Sequence, residues 1–394
     1  MEAWKTYKLS DVADLTTGFP FDGHKYAKEG IRVVRGDNVT IGSLRWDADK
    51  DKRWNEPFTR AAEFTLQDGD IVIGMDGSRV GKNRAQISKS DLPLLIAQRV
   101  ACIRHNARSC QEFLYYQVFS DRFVEYIKAV QTGTSIPHVS LKQIGDFPVQ
   151  LPSIDEQNRI AGVLRALDDK ITLNNQINHN LHNLAQELFN NNIAENACRS
   201  SGWRSASLLD IAEYLNGLAM QKYPAINGEF SLPVLKIKEL GQQACDANSD
   251  RCTESIPEQF VVKDGDIIFS WSGTLLVDFW CGGKCGLNQH LFKVSSDMYP
   301  NWFVYFWTKH HLDRFIRIAK DKAVTMGHIK RGDLGKAEVV IPEDAVMKKL
   351  NGEIEPLISE CIERRIENRK LQSIRNSLLP KLMSGELKIN DLTC

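Results

Sequence analysis

Residues 4–18 read WKTYKLSDVADLTTG, and residues 203–217 read WRSASLLDIAEYLNG. Trp4, Leu9, Asp11, Ala13 and Gly18 recur as Trp203, Leu208, Asp210, Ala212 and Gly217, each 199 positions later. The echo continues downstream. FTLQDGDIV from Phe64 returns as FVVKDGDII from Phe260, and Gln98 in IAQRV returns as Gln289 in LNQHL. His138, Gly145 and Pro152 return as His328, Gly335 and Pro342, now 190 positions later. An offset that slips in this way marks short insertions and deletions between two copies of one unit. The period lies far beyond the range of about 20–50 residues that signals a solenoid, so the chain is a duplicated domain. Two diverged copies suit a partner that itself has two similar but non-identical halves.

The chain has 394 residues, 42% of them hydrophobic, enough for two or three domains with cores of their own. No run of about 18 apolar residues occurs, and MEAWKTYKLSD carries no apolar leader segment, so a soluble, cytoplasmic protein without a membrane partner is expected. Nine cysteines are scattered, several beside apolar residues (Cys102, Cys361), as expected of reduced thiols. Cys281 and Cys285, with Cys245 and Cys252 upstream, lack a matching second knuckle, and no metal site is expected.

Fifty basic residues balance fifty acidic ones, which taken alone counts against nucleic-acid binding. The distribution is uneven. Between Gly77 and Cys110, Arg79, Lys82, Arg84, Lys89, Arg99, Arg104 and Arg108 face a single acid, Asp91. Between Arg314 and Lys336, Arg314, Arg317, Lys320, Lys322, Lys330, Arg331 and Lys336 face only Asp321 and Asp333. Such runs often form nothing more than a solvated face. One in each copy, however, gives each half a local positive patch able to hold phosphates under physiological screening.

Each copy is itself bipartite. Short β-type runs (IRVV at 31–34, DIVIG at 70–74, RVACI at 99–103, FPVQL at 147–151) are punctuated by Gly, Asp and Pro, and one helical stretch at 111–130 interrupts them. Ser153 and Glu156 then form a capping-box start. Beyond it Ile160, Leu164, Leu167, Ile171, Leu181 and Leu188 follow a heptad register with Asn174 and Asn178 at its centre. The second copy repeats this with Leu350, Ile354, Leu357, Leu371 and Leu378 around Arg364 and Asn368. Pro356 is expected to break that second run into a short and a longer helix, and Pro380 with Gly385 to close it. A helix could simply pack on its own domain. About 36 residues at about 1.5 Å each give about 50 Å, though, which overhangs such a module. Mutual antiparallel pairing, with the modules held at the two ends of a rod, is the favoured reading. Since B-DNA repeats about every 34 Å, such modules would address two separated segments of one duplex.

The fold expected is α+β: two β-rich domains (residues 1–152 and 197–342) separated by a pair of long antiparallel coiled-coil helices (153–196 and 343–387), with pseudo-twofold internal duplication. Motifs of catalysis are missing. GMDGSRVGKN at 74–83 has the wrong glycine spacing for a P-loop and Asn83 where Ser or Thr belongs. Glu56 breaks a near-match to an amino-methyltransferase motif at 55–58, and no GxGxxG follows a strand. The Asp-Gly-Asp triplets at 68–70 and 264–266 precede apolar strands, where they read as turns rather than metal ligands.

Taken together, these marks resemble the specificity subunit of a type I restriction-modification system. The resemblance spans the chain. It rests on the repeated Trp…Gly segments, LQDGDIVIG and VKDGDIIFS, Gly-Thr-Ser-Ile-Pro-His-Val-Ser at 133–140, Leu-Pro-x-x-x-Glu-Gln at 151–157 and LLPKLMSGEL at 378–387. The second copy departs at 323–328 (AVTMGH) and at 341–344, where the Glu-Gln is missing.

The resemblance implies a non-catalytic reader of double-stranded DNA, each module reading half of an asymmetric bipartite site. The helices would serve as spacer and dock two methyltransferase subunits, and two translocating nuclease subunits would join. No cofactor is expected in this chain; S-adenosylmethionine, ATP and Mg²⁺ belong to the partners. Basic and amide side chains would anchor phosphates and read base edges. The candidates in the first module are Arg35, Asn38, Arg79, Lys82, Arg84, Arg99, Ser135 and His138. Those in the second are Lys236, Lys238, Trp271, Lys284, Lys322, His328 and Lys330. Plain surface roles stand beside these, and the two histidines could equally stabilise loops. Trp4 and Trp203 read as core. A reader serving a type IIB-like methyltransferase-nuclease, a self-sufficient DNA-modifying enzyme and a protein scaffold remain as alternatives.

Overall fold

A computed structural model describes residues 4–58, 60–133, 135–195, 202–321 and 327–389. The chain divides into two compact units: Met1–Asp168 with Ser373–Cys394, and Asp169–Gln372.

The first unit contains β1 (Lys5–Lys8), β2 (Ala13–Thr17), β3 (Ile31–Val34), β4 (Arg53–Trp54), β5 (Ile71–Gly74), β6 (Arg84–Gln86), β7 (Leu94–Ile96), β8 (Val100–His105) and β9 (Pro148–Leu151). Its helices are α1 (Leu9–Val12), α2 (Gln111–Val118), α3 (Asp121–Val130) and α4 (Leu141–Gly145), followed by the start of α5 (Ile154–Phe189). β2-β8-β5-β6 form an antiparallel sheet, β4-β3-β7 a second sheet with a parallel β3–β7 pair, and β1 pairs with β9. The expected helical stretch at 111–130 divides in two, because the Ser120 hydroxyl accepts the Phe123 N–H at 3.2 Å and starts a fresh helix.

The second unit repeats this order. Its strands are β10 (Arg204–Ser207), β11 (Glu213–Asn216), β12 (Ser231–Leu235), β13 (Arg251–Thr253), β14 (Val261–Val262), β15 (Ile267–Ser270), β16 (Leu276–Phe279), β17 (Cys285–Leu287), β18 (Leu291–Ser295) and β19 (Glu338–Ile341). Its helices are α6 (Leu208–Ile211), α7 (Ile237–Gln242), α8 (Asn301–His310), α9 (Leu312–Asp321) and α10 (Arg331–Gly335), with most of α11 (Asp344–Ser384). β11-β18-β15-β16 mirrors β2-β8-β5-β6, the parallel β12–β17 pair mirrors β3–β7, and β10–β19 mirrors β1–β9. The duplication read in the sequence is a duplication of topology.

Several repeated residues have a packing reason. A Cβ on Gly18 would collide with the Ile96 carbonyl, and one on Gly217 with the Asn288 carbonyl, so both echoes need a residue without a side chain. Gly69 and Gly265 adopt φ of 85° and 91°, so the Asp-Gly-Asp triplets are turns, as expected. Asp70, 1% exposed, receives a bidentate Arg104 at 2.8 and 2.6 Å. Trp4 and Trp203 pack against the cores of their modules.

Each long helix contributes one end to each unit. In the first, Ile160 and Leu164 of α5 and Leu382 of α11 are buried together with the module's own strands, with Leu378 packed alongside. Arg375 of α11 pairs with Asp168 at 2.7 Å. In the second unit the helices run antiparallel. Asn174 bonds Arg364, Glu367 and Asn368, while Asn178 offers its carbonyl to the Cys361 thiol. Ile171 is buried, and Leu167, Leu181 and Leu371 are half-buried. Leu350, Ile354, Leu357 and Leu188 belong to the core of the second module. The helices therefore pair and also pack on the modules, so the two readings of the heptad stripe were not alternatives.

One expectation fails. Pro356 does not break α11, which runs unbroken from Asp344 to Ser384 through Pro356 and Pro380, and Gly385, at φ 74°, ends it. Pro356 is exposed, while Ile354 and Ile358 on either side are buried at 0% and 2% exposure. Burial of those flanking side chains, at about 1.5–3 kcal/mol each, offsets the roughly 3 kcal/mol that an interior proline costs.

Candidate nucleic-acid interface

At one end of each four-stranded sheet, three loops are tied together by backbone hydrogen bonds. In the first module the loop after β5 donates Met75 N–H to the Arg99 carbonyl at 3.0 Å and Gly77 N–H to the Pro137 carbonyl at 2.9 Å. Val139 N–H returns to the Met75 carbonyl at 2.9 Å. In the second module Trp271 N–H reaches the His290 carbonyl at 3.4 Å, Gly273 N–H the Gly327 carbonyl at 3.1 Å, and Ile329 N–H the Trp271 carbonyl at 3.1 Å. Asp76 forms an antiparallel bridge with His138, and Ser272 forms one with His328. The frame is the same. The side chains it presents are not.

In the first module Arg99 sets its Nη1 3.3 Å from Asp76 Oδ1. In the second the corresponding pair is His290 and Ser272, 3.1 Å apart between Nδ1 and Oγ. His138 Nε2 lies 3.0 Å from Thr132 Oγ1 and so helps to close its own loop, the bland role allowed for it. Ser135 and Ile136 stand exposed on that loop. Arg79 and Lys82, both exposed, line a hollow of about 580 Å³ with Lys128 and the 60%-exposed Ile41. In the second module Trp271 donates its indole N–H to Asn216 Oδ1 at 3.0 Å and lies between His290 and His328, with ring centroids 6.0 and 6.3 Å away. His328 and Lys330 are exposed beside it. Lys236 and Lys238 flank Ile237, whose Cδ1 lies 3.5 Å from where a Gly273 Cβ would be, and they pair with Asp250 and Asp246.

Four other candidates are buried, half-buried or away from this frame. Asn38 is fully buried; it accepts the Arg35 N–H and donates to the carbonyls of Arg45 and Lys50 at 3.0 and 3.1 Å, which fixes a loop. Arg84, 8% exposed, donates to the carbonyls of Gly81 and Phe119 and lies over the Phe119 ring, and burial pushes its guanidinium down to about 10. Their hydrogen-bond partners turn both inward. Arg35 is half-buried over Tyr26. Lys284 sits at the other end of the sheet, beside Gly283, whose N–H is held by Asp264. Lys322 lies outside the described residues.

Asp76, Ser272, His290, Asn216 and Lys128 were missed. For His290 the signal was present, since Gln98-Arg99 and Gln289-His290 align in the two copies. Lys128, on α3, had none, because its place beside Arg79 depends on how that helix docks. Among the described residues no group of three potential metal ligands gathers, and no described helix is long and apolar enough to cross a membrane.

Residues 1–183 match the family model described as type I restriction modification DNA specificity domain. The MjaIX type I restriction enzyme specificity subunit of Methanocaldococcus jannaschii is 26% identical over 304 residues, covering 71% of this chain and 70% of the relative. The HindI specificity subunit of Haemophilus influenzae is 20% identical, covering 98% of this chain and all of the relative. Among solved structures, the type I restriction-modification S subunit from M. genitalium superposes with a TM-score of 0.64 at 16% identity over 96% of both chains, which shows the shared fold.

Proposed function

We propose that the chain, whose residues 1–183 match the family model described as type I restriction modification DNA specificity domain, is the sequence-reading subunit of a type I restriction-modification complex. Each module reads one half of an asymmetric, bipartite DNA site. The carrying observation is the three-loop frame: one backbone scaffold, present twice, that displays Arg99 and Asp76 in one copy and His290 and Ser272 in the other. An invariant frame with exchanged side chains is what two half-sites of different sequence require, since base edges are told apart by side-chain donors and acceptors.

Arg79, Lys82 and Lys128 supply phosphate contacts beside the first frame, and Lys330 beside the second. Their charges act locally, which reconciles DNA binding with the chain's net charge of zero. The paired helices fix the spacing between half-sites and dock two methyltransferase subunits, and two restriction subunits complete the assembly in the cytoplasm. S-adenosylmethionine, ATP and Mg²⁺ are handled by those partners, and this chain supplies recognition without chemistry.

The test is methylome sequencing of cells expressing the chain with its methyltransferase subunit. One bipartite motif is expected, with both half-sites and the spacer read in a single experiment. Replacing residues 20–135 with the corresponding segment of another specificity subunit should change one half-site and leave the other intact. Loss of neither half-site on that exchange would overturn the reading, as would methylation by the chain alone.

A further inference from the structure

Among the arginines of the first module, Arg99 stands exposed within the three-loop frame. Arg84 is buried against Phe119. Arg104 is locked bidentately on buried Asp70, and Arg32 and Arg53 share Asp51. Arg99, by contrast, has a side chain 66% exposed, and its one ion pair among the described residues is the 3.3 Å contact with Asp76.

Its main chain sits at φ 69°, in the left-handed region that side chains other than glycine rarely occupy. The described residues hold two other non-glycine cases. Gln243 closes helix α7 and Arg60 precedes a short helical turn, which are ordinary settings. Arg99 likewise has an ordinary setting, the third position of the Ala97–Val100 turn, which the Val100 N–H closes on the Ala97 carbonyl at 3.3 Å, and the Met75 N–H on its own carbonyl ties that turn into the three-loop frame. Two backbone hydrogen bonds therefore hold the point from which its side chain projects.

Base readout and phosphate contact make different demands. A phosphate tolerates a mobile cation, whereas a base edge needs donors fixed in position and plane. Arg79, Lys82 and Lys128 meet the first demand around their hollow. Arg99 meets the second: its backbone is pinned, and Asp76 takes one Nη1 hydrogen and so orients the guanidinium plane. An arginine with two parallel N–H donors free matches the O6 and N7 acceptors of guanine in the major groove.

We propose that Arg99, positioned by Asp76, reads a guanine in the half-site of the first module, and that His290, positioned by Ser272, occupies the same readout point in the second. This rests on the reading of the chain as a two-module DNA recognition subunit. A single position of the frame is then where the two half-sites part company, with a forked, permanently charged donor in one module and an imidazole in the other.

The experiment is methylome sequencing of the full complex carrying Arg99→His, Arg99→Ala, Asp76→Asn, His290→Arg or Lys82→Ala. Arg99→His places at this point the residue that the second module already carries there, which guards against a folding failure. The wild-type first half-site should contain a guanine whose requirement falls by about 10- to 100-fold in both Arg99 variants, with the spacer and second half-site unchanged. Asp76→Asn should relax the same position by less. Lys82→Ala should lower methylation evenly across all sequences, and His290→Arg should alter one position of the second half-site. A first half-site without guanine, or Arg99 variants that lower methylation evenly with the motif intact, would overturn the assignment while leaving the DNA-reading role standing. Absence of any bipartite motif from the wild-type complex would overturn the reading beneath it.

Discussion

Asn174 donates its side-chain amide to Asn368 at 2.8 Å, fully buried between the two long helices, while its carbonyl oxygen accepts from Arg364 at 2.9 Å. Asn368 in turn donates to Asn175 at 2.8 Å. A polar layer inside an apolar stripe fixes register, because any sliding of one helix would bury an amide without its partner.

Asn174→Leu should therefore destabilise the second unit by about 2 kcal/mol, since it leaves the side-chain oxygen of Asn368 without its donor and takes an acceptor from Arg364. Asn174→Leu with Asn368→Leu should recover most of that loss, as Arg364 retains Glu360 and Glu367 retains Lys170. Urea midpoints of the four proteins in the cycle measure the coupling. A double variant weaker than either single one would contradict a register-fixing role for the pair.

Pro356→Ala should raise stability by about 1–3 kcal/mol, because it restores a donor to an unbroken, solvent-facing turn of α11. If the urea midpoint falls instead, the helix depends on a bend at that proline.

Asp70→Ala should destabilise the first module by about 2–4 kcal/mol, through loss of the bidentate Arg104 pair and of the bond from the Gln67 N–H. The second half-site in a methylome should be unaffected. Hydrogen exchange of residues 71–74 and 100–105 would report the local loss.

His182 of α5 is pushed down to about 4, from 6.5, first by burial and then by Lys309, whose ammonium lies 3.0 Å from its Nε2. Burial likewise lowers His310 and His311 on the same module. Each therefore resists protonation more in the folded state than in the unfolded chain. Stability is thus full above about pH 6.5 and declines as the pH falls from there toward 4. His182→Gln should flatten part of that decline. Urea midpoints at pH 7.5 and pH 5 decide the matter, and an unchanged pH dependence would assign it elsewhere.

Much of the architecture was legible because its signals are local or repeated. Gly18 and Gly217 stand out when the copies are aligned, and each meets a carbonyl that excludes any side chain. Leu-Pro-x-x-x-Glu-Gln is legible as a helix start. Its Gln157 proves to be buried, accepting the Cys110 N–H and donating to the carbonyls of Arg108 and Pro152, which seams helix to sheet. Met347 stands at the matching position of the second copy. Site residues were harder to read. Asn38, Arg84 and Arg99 look alike as polar residues beside short β-type runs, yet two face inward and one faces out.

The sequence by itself determined the duplication, the alternation of β-rich module and long helix, and the polar layer at the helix centres. Periodicities and echoes depend only on spacing along the chain. Tertiary structure alone decided which cations stand exposed, that Pro356 is tolerated, and that the helix ends join the module cores. Those outcomes are set by partners distant in sequence: Arg84 by the carbonyl of Phe119, Arg104 by Asp70, and Arg99 by Met75 and Asp76. Burial and hydrogen bonding across such separations leave no mark in local spacing, because any arginine near a strand end satisfies the same pattern.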